Sequence, residues 1–478
     1  RILADARLPK GAACPLFLPS QTRLPIMANA TTQRDGFSSG FGVLAATLGS
    51  AVGLGNIWRF PYETGSSGGA GFLLVYILAT LLVGLPVMIA EISLGRAAQT
   101  DPLGVYFRLA PRAPWWIIGA MGLASVMLII AFYSGVVGWV FAYIAKSLGS
   151  SLLTQDRQVL EGAFTGLITN PAAALAWQWA VLLLMGVILS FGVSKGIEAV
   201  TKKLMPILFL LLCVIAATSL SMPAAMEGVK FLFVPDFGKI DGAVILKALG
   251  LAFFKLSLGV GSMTIYGSYF RKEQNIPKTA LTVMLADLTV SLLAGLAIFP
   301  AVFSLGFNPA GGPSLLFNTI PAVFAQMPMG HALMVLFFTL TAFAATGALL
   351  SLIEVPVAVL HERLGWSRVR ATWAAIVCMA VLGSLCALSF STLGGVTLIG
   401  KNNIFDSFDF ASSKILMPLA GLLTSLFVSR HWGKQAFVQA NSNHGALGNE
   451  CLLGAVFWVL STVSPILIGV IMYFGLMT

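Results

Sequence analysis

Long apolar runs, each about the length of a bilayer crossing, alternate along this chain with short segments rich in Arg, Lys, Pro and Gly. A helix needs about 20 apolar residues to cross the hydrocarbon layer. Runs near 41–62, 70–94, 115–146, 174–193, 204–222, 242–270, 279–304, 331–361, 371–390, 407–429 and 449–477 approach or exceed that length. The pattern predicts an all-α integral membrane protein of about eleven transmembrane helices, numbered here as spans 1 to 11.

Two of these spans are interrupted, and they stand five spans apart. Span 1 contains Gly49-Ser50-Ala51-Val52-Gly53-Leu54-Gly55-Asn56 and reaches Pro61; span 6 contains Lys255-Leu256-Ser257-Leu258-Gly259-Val260-Gly261-Ser262. Glycine loosens a helix, and unwound backbone at membrane depth is tolerated only where it faces protein or a water-filled cavity. Both breaks should therefore line one central site. An odd number of spans per repeat turns the second copy upside down, and paired broken helices in inverted halves point to the substrate site of a secondary transporter. The bland alternative is that these glycines only let helices pack closely.

Composition narrows the picture further. Hydrophobic residues make up 58% of the 478 and charged residues 10%, too few charges to cover a water-facing surface of this size. The net charge of +10 does not indicate nucleic acid, because the basic residues lie between apolar runs without interleaved aromatics. Lys and Arg instead gather after spans 2, 4, 6, 8 and 10, as at Arg96, Lys202, Arg271, Arg363 and Arg430. That bias predicts a cytoplasmic N-terminus and an external C-terminus in the cell (inner) membrane. Five cysteines without paired spacing indicate neither a disulfide framework nor a thiolate metal site. Residues 1–36 are read as an N-terminal tail, in which Met27 is taken as the native start and 1–26 stand ahead of it, and 37–478 as one transporter domain. Within it, the first repeat covers about 37–222, the second about 242–430, and the last helix about 449–477.

The stretch Gly49-Ser-Ala-Val-Gly-Leu-Gly-Asn-Ile-Trp-Arg-Phe-Pro61 resembles span 1 of the neurotransmitter:sodium symporter family, to which the bacterial leucine transporter belongs. The resemblance continues through Gly68–Phe72, Glu91–Arg96, Ser257–Gly261, Tyr269–Lys272 and Glu354–Pro356. It implies a five-plus-five inverted repeat and sodium-driven symport of amino acids or their derivatives by alternating access. The partners it implies are a small amino-acid substrate and the lipid bilayer, with room for a homodimer, no nucleic acid and no organic cofactor.

By the same resemblance, Ala51, Gly53, Leu54 and Gly55 supply backbone to the substrate, with Phe254 and Ser257 opposite. Tyr133 matches a tyrosine that meets the carboxylate, and Ile129, Tyr133, Phe254, Val260 and Leu352 build an apolar side-chain pocket. Gly53 stands where monoamine carriers have an Asp, leaving room for a substrate with its own carboxylate. Arg59 and Asp409 match an outer gate pair; Arg34, Glu362 and Tyr269 match an inner one. A lone charge such as Arg59 inside an apolar span is costly enough to require a partner.

Two departures stand out. The first sodium position, held in relatives by carbonyl and amide oxygens, here comprises Ala51, Asn56, Lys255 and Asp287. An ammonium offers three donors and no acceptor, so Lys255 is expected to replace the ion and to contact both Asp287 and the substrate carboxylate. The second position comprises Gly49, Val52, Ala344, Gly347 and Ala348, where hydroxyls are expected at the last two. The family implies sodium; these changes argue for weak sodium dependence or none, with proton coupling through Lys255 as the substitute. Tyr76 and Ser291 partly match a chloride site, but Leu251 replaces its amide, which argues against chloride. The competing class is a non-transporting amino-acid receptor that kept the site and lost its ion coupling. An enzyme finds no support, because the four His form neither metal spacing nor a nucleophile and base pattern.

Overall fold

The structure is a computed structural model that describes residues 53–149, 151–190, 194–271, 274–443 and 445–477, of which 194–205 and Gly475 by backbone alone. The predicted tail, together with Arg34, Gly49, Ala51 and Val52, lies outside the described residues. The molecule is an all-α membrane protein. Eight described helices are long and apolar enough to cross a bilayer: Ala70–Ala98, Trp116–Ser147, Pro171–Ser190, Ile276–Ser304, Gly330–Leu364, Arg368–Leu388, Ile404–Trp432 and Glu450–Phe474. They correspond to spans 2, 3, 4, 7, 8, 9, 10 and 11. Span 5 lies in the helix Ser194–Leu220, and its part Pro206–Leu220 turns by 116° into Ala225–Phe233.

Polar residues set the ends of these helices. Side chains of Asp241, Asn275, Ser367 and Asn403 accept backbone N–H groups that open spans 6, 7, 9 and 10, supplying partners that a helix N-terminus lacks. Gly365, with φ of 63°, stops span 8. A two-stranded antiparallel hairpin pairs Thr397 with Asn403 and Ile399 with Asn402 between spans 9 and 10. Span 3 packs on spans 8 and 4, and span 9 on span 4. An aromatic cluster around Trp139, Phe164, Phe317 and Phe405 fills the space beside span 3.

Of span 1 the structure describes a π-helix at Gly55–Arg59 that continues as Phe60–Ser66; Pro61 near that junction has no N–H to donate, which loosens the ladder one turn back. The predicted interruption of span 6 is where that helix breaks. Span 6 is helical over Gly242–Lys255 and again over Ser262–Ser268. Between them Ser257, Gly259 and Gly261 adopt φ of 53°, 70° and 83°, a region that suits glycine and strains serine. The lower half of span 6 lies backbone to backbone against span 2. A Cβ on Gly95 would come within 1.9 Å of the Thr264 carbonyl oxygen, and one on Gly267 within 2.2 Å of that of Ile92.

Candidate functional site

A cleft of about 420 Å³, counted out to its open mouth, lies where the two helix breaks meet. Gly53 and Gly55 form one wall, and Phe254, Lys255, Ser257 and Val260 form the facing one. Span 3 contributes Ile129 and Tyr133, span 8 contributes Ala348 and Leu352, and span 10 contributes Met417. All of the sequence-predicted pocket residues among the described ones are thus in or beside one cavity, including Leu54, whose backbone bonds the Tyr133 hydroxyl. Met417 carried no signal in the sequence, being one methionine in an apolar run. Ala348, placed by sequence with the second ion position, also walls the cleft. A Cβ on Gly53 would stand 3.2 Å from the Ala348 Cβ.

The cleft is polar at one end. The Gly53–Gly55 backbone and the Tyr133 hydroxyl meet there, with the Gly53 N–H turned to the Asn56 side chain at 3.3 Å and the Leu54 backbone to the Tyr133 hydroxyl; exposed backbone N–H and a hydroxyl are groups that suit a carboxylate. Unwinding of residues 256–261 frees carbonyls on the opposite side. The remaining surface is apolar.

Above Phe254 sits the buried Arg59. Its Cζ lies 3.9 Å from the Phe254 ring centroid, its Nη2 donates to Asp409 Oδ1 at 2.6 Å and to Ser413 at 3.1 Å, and Glu63 lies 3.7 Å away. Ser413 also donates to Asp409 at 2.8 Å. Arg59 and Asp409 are therefore joined, as the residues suggested. At the far side, Glu362 accepts from the Thr100 hydroxyl at 3.1 Å and the Asp101 N–H at 2.9 Å, while Arg363 reaches Asp101 at 3.3 Å. Tyr269 ends the lower half of span 6.

Lys255 and Asp287 meet. Nζ lies 3.0 Å from Asp287 Oδ2, with both side chains fully buried, and it also donates to the Tyr76 hydroxyl at 3.0 Å and to Ser291 Oγ. Tyr76 donates to Asp287 Oδ2 at 3.0 Å, and the Asn56 amide nitrogen donates to Asp287 Oδ1 at 2.8 Å. This corrects one expectation: with three donors spent on Asp287, Tyr76 and Ser291, the ammonium has none for a substrate carboxylate. Asn56 turns its nitrogen toward Asp287 and its oxygen toward the Gly53 N–H at 3.3 Å. At the second position, Gly347 and Ala348 carry no hydroxyl, and the Ala344 carbonyl faces Gly53.

A cleft at paired helix breaks, apolar but for one backbone-lined end and capped by a buried ion pair, defines a membrane transporter for small molecules. Comparison with known proteins names the group. The sequence profile described as the Sodium:neurotransmitter symporter family matches residues 34–160 and 157–478, and the chain belongs to that family. It is 40% identical to the "uncharacterized sodium-dependent transporter YhdH" of Bacillus subtilis (strain 168), over 91% of this chain and 96% of that one. To a sodium-dependent transporter of Haemophilus influenzae it is 32% identical, over 84% and 90%. The crystal structure of MhsT in complex with L-phenylalanine superposes with a TM-score of 0.89 at 40% identity, covering 92% of this chain and all of that one. The protein is thus a multi-pass membrane transporter of this family and not an enzyme.

Proposed function

We propose that the protein carries a neutral amino acid with an apolar or aromatic side chain into the cell by alternating access, without sodium at the first of the family's two ion positions. The cleft carries this reading: backbone N–H groups and a hydroxyl at one end fit a carboxylate, freed carbonyls fit an ammonium, and the rest fits an apolar side chain. The L-phenylalanine held by MhsT supports the substrate class. Arg59 with Asp409 would close the outer side over Phe254, and Arg34, Glu362 and Tyr269 the inner one. The distribution of Lys and Arg supports a cytoplasmic N-terminus.

Lys255 would serve as a built-in cation. A buried ammonium persists only when paired, and Asp287 supplies the pair at the position where relatives carry a neutral amide. Because every bond of this set is internal, Lys255 acts as a fixed charge in this reading, in place of the proton carrier that its sequence position suggested. The second ion position, poor in hydroxyls, offers little to replace it.

The test is binding and uptake of radiolabelled L-phenylalanine by the protein in proteoliposomes, with leucine, glutamate and lysine as competitors and choline in place of sodium. Apolar and aromatic amino acids should compete, charged ones should not, and binding should persist in choline. Competition by glutamate or lysine would overturn the substrate class; binding that vanishes in choline would overturn the ion assignment.

A further inference from the structure

The span-6 break touches a carboxyl that the site described above does not use. Glu91 on span 2 is 3% exposed. Its Oε1 accepts the Gly259 N–H at 2.7 Å, and its Oε2 is buried with no hydrogen-bond partner among the described residues. Among the described residues no ion pair reaches it. Arg96, one and a half turns along the same helix, donates to the carbonyls of Arg271, Gln274 and Ala440.

Among the described residues, the elements packed against this helix bring no counter-charge to Glu91. The lower half of span 6 contributes Tyr266, whose hydroxyl donates to Ser351. The helix Pro102–Leu109 contributes Tyr106, which does face Glu91 but bonds Thr424, and Arg108, which donates to the Ala98 carbonyl. Span 7 contributes Asp287, held by Lys255, and Lys278 at its opening turn. Span 10 between Met417 and Phe427 has no charged residue, and Lys434 opens the following helix Lys434–Ser442.

We propose that Glu91 is the proton carrier of the transport cycle, which rests on the reading of this protein as an amino-acid transporter. An ionised carboxylate in a membrane interior with a single N–H donor and no cation is far costlier than a neutral acid. Glu91 therefore holds a proton on Oε2 while it stays buried as it is in this structure. The Gly259 N–H that binds it lies between Ser257 and Val260, both of which wall the cleft. Substrate entry and exit, by rearranging residues 256–261, change whether Glu91 is dry or wet. One proton is taken from water on the entry side to form the acid, crosses with the substrate, and is released to water on the other side to leave the carboxylate.

The experiment compares wild type with Glu91→Gln, which keeps the neutral shape and the bond from Gly259 but cannot ionise. Proteoliposomes in choline are given an inward proton gradient of about one pH unit, which at one proton per substrate sustains about tenfold accumulation. Wild type should accumulate labelled phenylalanine to about that extent, and Glu91→Gln should lose accumulation while keeping substrate binding and exchange of labelled for unlabelled phenylalanine. Glu91→Asp, which retains a carboxyl, should keep gradient-driven accumulation and guards against a variant that fails to fold. Accumulation by Glu91→Gln equal to wild type overturns the assignment of Glu91 and leaves the transporter reading standing. Accumulation by wild type only when sodium is present overturns it as well. Failure of wild type to bind or exchange phenylalanine would instead overturn the functional reading beneath it.

Discussion

The Lys255 ammonium lies 3.0 Å from an Asp287 carboxylate oxygen, and neither side chain exposes any surface. Each charge is tolerable inside the membrane only because of the other. Removing one partner of a buried pair typically costs about 3–5 kcal/mol, whereas replacing both can be neutral. Lys255→Thr alone should therefore destabilise the protein strongly, as should Asp287→Asn. The double variant Lys255→Thr with Asp287→Asn should recover much of the loss and acquire sodium-stimulated phenylalanine binding. Thermal unfolding in detergent with and without sodium reads both effects; a double variant no more stable than the single ones would overturn the coupling.

Arg59 joins two functions in one side chain, since its guanidinium covers the Phe254 ring while bonding Asp409 and Ser413. Lys keeps the charge but loses the planar contact. Arg59→Lys should release bound phenylalanine faster than wild type by about tenfold, equivalent to about 1.4 kcal/mol. Dissociation of labelled substrate from the purified protein is the measurement.

Gly53 and Ala348 share one contact across the cleft, 3.2 Å from the added Cβ to the alanine methyl. That is tighter than comfortable packing, so Gly53→Ala should weaken phenylalanine binding by pushing span 8 outward. Gly53→Ala combined with Ala348→Gly should recover it. The coupling energy from the four affinities, expected at about 0.5–3 kcal/mol for residues in contact, tests the placement.

Ser257 holds a left-handed backbone with φ of 53° at the break of span 6. Such a conformation costs a non-glycine residue about 1–3 kcal/mol. Ser257→Gly should relieve the strain and leave phenylalanine binding within about twofold, because the neighbouring carbonyls keep their places; the gain in stability should approach 1 kcal/mol. A melting temperature below that of wild type would contradict the assignment.

Much of this architecture is written in the chain because membrane insertion leaves few options. Apolar length and Lys/Arg punctuation mark the spans, and the glycines around Ser257 mark the break, since backbone freedom has a direct residue signature. The meeting of Lys255 with Asp287 is legible for a related reason: two opposite charges in apolar spans have nowhere else to go. What the sequence does not carry is how many bonds each group keeps for others. That Tyr76 and Ser291 would take the last two donors of Lys255 depends on side-chain directions set by three spans at once. Met417 lines the cleft just after the π-helical stretch Phe410–Leu416 of span 10, and no local pattern in an apolar run singles it out. That Glu91 Oε2 has no hydrogen-bond partner among the described residues is hidden similarly, since it depends on everything packed around it.

An ammonium attached to the chain has no dissociation rate and no concentration. In relatives that bind an ion at this place, the substrate site is completed only when the surroundings supply enough salt. Under the assignment made here, Lys255 supplies that charge permanently beside the site. Such a carrier loads equally well in fresh water and in brine. It also moves one charge fewer per turnover, so the steepest substrate ratio it can sustain is lower, and it runs backward more readily when the cell is full.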